Sequence, residues 1–328
     1  MRKFLFFLWG ISLILLCGKK EENQKIDVNK GVYKESGEVA RLEYVREFKV
    51  DESKLKLSSC SICYIKSNGD FYVNDFPQRL FLKYDYNGTF CGIIGKTGLG
   101  PGEYYRGFYL TLDKKENIYI FDGNTKKIVV YDQNNNFLYE RNITAGDAPI
   151  ITTSPRIKFI GDKSLISYFI YEKDSFLKTM KAIHFYDNKL HDQKKSINIK
   201  LPDMFYEYEL RNILSLSFHA DEDYIYYIVP VLPYLYKMDL DGNLLGVYGE
   251  IPNDFKVIDK SASFLNTPSD KTYELSDFYD NYSQVNPCLI PFNNYFIFRY
   301  SIPADNMILN ESNKKTYKNS SKFLIFNK

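Results

Sequence analysis

At 328 residues the chain is longer than the usual compact domain. Its 43 Lys and Arg against 41 Asp and Glu give a formal charge of only +2, which excludes the basic excess expected of a dedicated nucleic-acid binder. The aromatic fraction is 17%, with 29 Tyr and 25 Phe, and flat side chains of this kind favour β structure packed face to face.

The chain opens with Arg2 and Lys3, followed by the uncharged, mostly apolar stretch Phe4 to Leu16 and then Cys17. A charged n-region and an apolar segment too short to span a bilayer read as a signal peptide over 1–16. A cysteine at its end is the acylation cue of a lipoprotein, although Leu16 stands where Gly, Ala or Ser is usual. Lysine followed by two acids in Lys19-Lys20-Glu21-Glu22-Asn23 is similar to a surface-export signal. Residues 17–38 are polar and expected to form a flexible tether from acylated Cys17. Without Arg2 and Lys3 the remainder carries 41 basic and 41 acidic residues, a neutral protein.

From residue 39 onward a unit of short apolar strands repeats. One copy holds Asp70 to Val73 and Leu80 to Phe90, and the next holds Asn117 to Asp122 and Ile128 to Phe137. Their Tyr84-Asp85 and Tyr131-Asp132 pairs lie 47 positions apart. A repeat of roughly 40–50 residues with about four short strands is the signature of a β-propeller blade. Ile183 to Leu190 and Leu235 to Leu244 continue the series, and a fifth copy shows as Asn294 to Tyr300 with Lys322 to Lys328. The Asn-Gly and Asp-Gly pairs of these turns accept positive φ. Turn acids such as Asp85, Asp132 and Asp241 are expected to cap backbone N–H groups.

Several catalytic signatures fail. Cys60 and Cys63 form C-x-x-C in a predicted innermost strand with no second ligand pair, and Cys91 and Cys288 are isolated. Gly95-Lys96-Thr97 lacks the glycine that a phosphate-binding loop needs at Phe90. His184, His191 and His219 lack metal-ligand spacing, and no G-x-S-x-G elbow occurs. Neither metal nor cofactor is expected.

Between the first two copies runs Gly95-Lys96-Thr97-Gly98-Leu99-Gly100-Pro101-Gly102-Glu103-Tyr104. This string, with the Ile-Tyr-Ile-Phe-Asp strand and Val-Tyr-Asp turn that follow, resembles the bacterial six-bladed β-propeller lipoprotein family related to NHL-repeat propellers. The resemblance is strongest over residues 40 to 145. It implies an all-β propeller of four-stranded antiparallel blades, six in number, over residues 39–328; five are legible, which leaves open whether the ring closes or the chain is a shortened copy.

In a propeller the first strand of each blade lines a central channel. First strands are expected to begin near Ser58, Tyr105, Pro155, Arg211 and Gln284, placing Arg106, Arg156 and Arg211 at the channel mouth. Three guanidiniums there could bind a carboxylate, sulfate or phosphate bidentately, with Glu103, Tyr105 and His219 adding contacts. The expected role is an envelope-anchored binding or scaffolding module for a glycan, a peptide or an envelope protein, lipid-anchored at the outer membrane. The alternative is a propeller lyase or hydrolase with its site at the channel mouth.

Overall fold

The computed structural model describes residues 30–31, 50–58, 60–143, 150–151, 157–161, 163–170, 181–187, 189–190, 193–208, 210, 216–259, 281–285, 289–292, 295–303, 307–309, 315–317 and 320–327. Cys17, Arg156, His191, Arg211 and Cys288 lie outside them, as does the leader.

Blade 1 is a meander of β1 (Cys60–Ile65), β2 (Phe71–Asp75), β3 (Leu80–Tyr84) and β4 (Phe90–Ile94). A crossing with the two-residue strands β5 (Lys96–Thr97) and β6 (Glu103–Tyr104) leads to blade 2, made of β7 (Gly107–Leu112), β8 (Ile118–Asp122), β9 (Lys127–Tyr131) and β10 (Phe137–Asn142). Blade 3 has a first strand in two pieces, β11 (Ile150–Ile151) and β12 (Ile157–Ile160), both paired with β13 (Lys163–Ile170), then β14 (Lys181–Asp187) and β15 (Gln193–Ile197). After the one-turn helix α1 (Asp203–Glu207), blade 4 comprises β16 (Ser217–Ala220), β17 (Tyr224–Val229), β18 (Leu232–Asp239) and β19 (Leu244–Tyr248).

Blade 5 again splits its first strand, into β20 (Gln284–Val285) and β21 (Ile290–Phe292), against β22 (Tyr295–Ile302). The hairpin β23 (Met307–Leu309) and β24 (Lys315–Tyr317) leads into β25 (Ser320–Asn327), which pairs with β22.

Both faces of a middle strand are covered, by a blade on each side or, in blade 1, by one blade and the segment ahead of it, so β2, β8 and β9 are buried at every position. Tyr72, Phe81 and Ile94 of blade 1 meet Leu110, Ile120 and Val129 of blade 2. Tyr119, Phe121 and Val130 of blade 2 meet Ile157, Ile166 and Tyr186 of blade 3. Leu165 and Phe185 pack on Phe218, Tyr227 and Tyr236 of blade 4, and Tyr226 and Leu235 pack on Phe296, Phe298 and Tyr300 of blade 5. Each such side chain contributes about 1.5–3 kcal/mol by leaving water. The high aromatic content is therefore chiefly the material between blades. The remaining face of blade 1 (Phe71, Val73, Leu82 and Tyr84) is covered by Val50, Leu55 and Leu57 from the segment ahead of it. Among the described residues no buried cluster joins blade 5 to blade 1.

The meander fixes which connections share a face of the disc. Strands alternate in direction, so first-to-second and third-to-fourth turns lie on one face, and second-to-third turns and blade crossings lie on the other. The first face carries tight Asx turns. Asp85 accepts from the N–H of Asn87 and Thr89, Asp132 from Asn134 and Asn136, and Asp239 from Asp241 and Asn243, all at 2.8–2.9 Å. Three residues after each of these acids the chain turns left-handed, at Gly88, Asn135 and Gly242. In the fourth blade the capping acid is thus Asp239; Asp241, two residues on, pairs with Lys195 instead. Among the described residues the longer connections lie on the second face: the β5–β6 crossing, α1 and the β23–β24 hairpin.

Candidate functional site

The long-connection face is best defined where blade 1 gives way to blade 2. Lys96 and Thr97 pair in parallel with Glu103 and Tyr104, closing a small loop around Gly98 to Gly102. Several polar groups of that loop have local partners. Lys96 Nζ lies 2.6 Å from Glu103 Oε1, and the Gly100 N–H donates to Glu103 Oε2 at 3.0 Å. The Lys96 ammonium first, then that N–H, hold the Glu103 carboxyl below its ordinary range.

Gly102 N–H donates to Glu140, which also pairs with the buried Lys127 at 3.0 Å, while Tyr131 Oη donates to Gly102 O at 2.7 Å. Tyr104 is fully buried; its Oη donates to Ile94 O at 2.8 Å and accepts from Phe81 N at 3.2 Å. Gly95 is left-handed (φ 65°), and a Cβ there would lie 2.3 Å from Tyr131 Oη, so this corner admits only glycine.

The crossing delivers Tyr105 and Arg106 to the start of β7, and a buried aspartate receives them. Tyr105 N–H donates to Asp122 Oδ2 at 2.7 Å. In blade 1 Ser58 N–H donates to Asp75 Oδ2 at 2.8 Å, and Ser58 Oγ to Oδ1 at 2.6 Å. Ser58 to Asp75 and Tyr105 to Asp122 are each 17 residues apart, so the same clamp recurs at the 47-residue repeat. Both carboxylates are fully buried.

Burial alone would raise the Asp75 pKa; the hydrogen bonds from Ser58 and Gln78 outweigh it and hold the carboxyl below 3.8. The stabilisation from a depressed pKa is complete above 3.8 and is lost as pH falls through the lower folded value. Asp75→Asn is therefore expected to be less stable than the parent at pH 7, with the gap narrowing toward pH 3. Urea melts at the two pH values check this, and a gap of constant size would show that the carboxylate charge has no part in it.

Two arginines stack on two aromatic rings at this point. The Arg106 guanidinium lies over the Phe76 ring at 4.3 Å, and Arg79 lies over the Tyr105 ring at 4.6 Å. Phe76 and Arg79 come from the β2–β3 turn, and Tyr105 and Arg106 from the strand entry 26 residues or more later. Stacking holds a guanidinium by its face, and the N–H donors in its plane are the groups that carboxylates and phosphates pair with. Arg79 also has φ 60°, and Lys126, 47 residues on in the next blade, has φ 55°. A basic residue in the left-handed region thus occupies the same turn position of both blades, on the same face.

Of the residues singled out from sequence, Glu103, Tyr105 and Arg106 gather here, with Glu103 engaged by Lys96. Phe76 and Arg79, the other half of the stack, carry no sequence signal beyond a proline-containing turn. His219 sits in the first strand of blade 4, its ring 5.5 Å from that of Phe296 in blade 5. First strands begin at Cys60, Gly107, Ile150 and Ser217, so Arg106 directly precedes its own, position 156 falls between the two pieces β11 and β12 of the blade 3 strand, and Arg211 is six residues ahead of β16. The buried Leu216 fills the corresponding place in blade 4. Cys63 falls at a register shift of β1, between Ile62 and Tyr64. Among the described residues, no group of three or more His, Cys, Asp or Glu could hold a metal ion.

Comparison with known proteins agrees with the architecture. The family model DUF5128, described as a 6-bladed beta-propeller, matches residues 19–284. No curated protein matches significantly. A DUF4221-family protein of Bacteroides vulgatus is similar in structure at a TM-score of 0.59 and 10% identity, over 85% of this chain and 81% of that one. A protein described as exported, from Bacteroides fragilis, is similar at 0.55 and 15% identity, over 85% and 74%.

Proposed function

The chain belongs to the DUF5128 family of six-bladed β-propellers, and from that premise we propose that it is an envelope-anchored binding module whose long-connection face takes an acidic ligand, a uronic-acid glycan or an acidic peptide segment. The observation that carries this reading is the paired stack of Arg106 on Phe76 and Arg79 on Tyr105. The asymmetry of the disc supports it: one face is closed by tight Asx turns, and the other bears the connections that can shape a site. Anchoring follows from the leader, in which Cys17 ends the apolar stretch and would carry acyl chains; two or more give stable membrane attachment. An outer-membrane location fits the same cue, and the Bacteroides fragilis neighbour is described as an exported protein.

The test is calorimetric titration with oligogalacturonate and with a glutamate-rich peptide. Micromolar binding to at least one of them is expected, weakening as salt rises. Arg79→Ala with Arg106→Ala should lower that affinity by about 100-fold, the loss of two charge-assisted contacts. Arg106→Ala with Arg211→Ala asks whether the fourth blade contributes. Unchanged affinity in the Arg79/Arg106 double variant would sink the site.

A further inference from the structure

Residues 30 and 31 are described well ahead of the first blade, and they do not stand free of the propeller. A Cβ on Gly31 would lie 2.1 Å from the carbonyl oxygen of Gly249 and 2.8 Å from its carbonyl carbon, so the two backbones touch with no room for a side chain between them. Gly249 directly follows β19, the last strand of blade 4, and is itself buried. Its φ is +118°, and a Cβ there would meet Pro233 O and the Phe326 ring, each at 3.0 Å. Pro233 belongs to β18 and Phe326 to β25. The contact is therefore seated where blade 4 meets blade 5, on a backbone position that only glycine fits, and Gly31 supplies the second glycine.

We infer that the N-terminal segment docks at the blade 4–blade 5 seam through Gly31, and that this seam is the side of the propeller turned toward the membrane. The docking stands on the contact alone; the membrane side rests on the acyl-anchor reading of Cys17. Only residues 18–29 then separate the anchor from the docked point, where a polar segment to residue 38 would suggest a longer leash. The 13 steps from Cys17 to Lys30 can reach at most about 45 Å. A leash running to residue 38 would reach about 75 Å and leave the propeller free to turn. Docking at residue 31 instead holds one seam near the bilayer and presents the remaining blades outward.

Two measurements on the full-length chain separate the docking from the anchor. Lys30 and Glu250 are exposed neighbours of the two glycines, so Lys30→Cys with Glu250→Cys should be joined by a short bismaleimide in detergent solution. The single-cysteine variants control for the native thiols, and Lys30→Cys with Asn87→Cys serves as the distant pair. Adding Gly31→Ala should slow the cross-link about tenfold, the cost of forcing one methyl into a filled contact. A Lys30/Glu250 rate no faster than the distant pair, or indifferent to Gly31→Ala, overturns the docking.

In vesicles with nitroxide-labelled headgroups, a dye at residue 250 should be quenched more than one at residue 87, and Gly31→Ala should shrink the difference. Equal quenching at both positions overturns the membrane-facing side while the contact stands. Failure of the protein to associate with vesicles at all overturns the anchor itself.

Discussion

Asp122→Ala is expected to cost about 3–4 kcal/mol of stability, because one buried carboxylate serves three backbone donors. Tyr105 N–H donates to Oδ2 at 2.7 Å, and Asn124 N–H and Thr125 N–H donate to Oδ1 at 2.9 and 3.3 Å. Alanine leaves these donors unmatched in a site that is fully buried, and each unmatched buried group costs about 1–3 kcal/mol. Asn124 is exposed and regains water, so the sum falls short of three full penalties. For a chain of this size the shift in melting temperature should be about 4–6 °C. The same substitution releases Tyr105 and with it the Arg79–Tyr105 stack, so uronate affinity should fall along with stability. Calorimetric melting and titration on one preparation check both. A melting temperature within one degree of the parent would mean that water replaces the carboxylate and that the clamp does not position the strand entry.

How much of this was legible in the sequence follows from which contacts are periodic. The Tyr84-Asp85 and Tyr131-Asp132 pairs mark the third strand and its turn in blades 1 and 2, because a left-handed residue must follow three places after the acid. Strand order and the five blades seen among the described residues follow from that period, whereas a sixth is implied by the resemblance alone. The register drifts in blade 4, where α1 and a long crossing intervene, and Arg211 accordingly falls six residues ahead of the strand it was expected to begin. Asp241 was read as a cap because Asp239 and Asp241 both suit a turn, and only the backbone hydrogen bonds show that Asp239 caps it.

The candidate site was half visible. Arg106 could be found from its place at the start of a first strand. Its partner rings and Arg79 could not, because Phe76-Pro77-Gln78-Arg79 reads as an ordinary turn and its pairing across 26 or more residues depends on how blade 1 meets the crossing. Glu103 looked available as a ligand contact until the parallel pairing of β5 and β6 brought Lys96 onto it. An ion pair that depends on two short strands closing a loop leaves no trace in spacing.

Tyr104→Ala should be the most damaging single change at the crossing, at about 4–5 kcal/mol. The ring is fully buried and packs edge-on to Phe81 at 5.7 Å, and truncating a buried aromatic leaves a cavity between two blades. Tyr104→Phe keeps the ring and removes only the hydroxyl that bridges Ile94 O and Phe81 N, so about 1–2 kcal/mol is expected. The two variants, set beside Arg106→Ala, divide the crossing into what holds the blades together and what meets a ligand. Tyr104→Phe should lower the urea midpoint and leave uronate affinity within about twofold, since the backbone pairing of β5 with β6 still delivers Arg106 to its place. Arg106 is only partly buried, so Arg106→Ala should leave the midpoint nearly unchanged while affinity falls. If Tyr104→Phe abolished binding as completely as Arg106→Ala, the crossing itself would be the contact surface and the arginine stack a by-product of its packing.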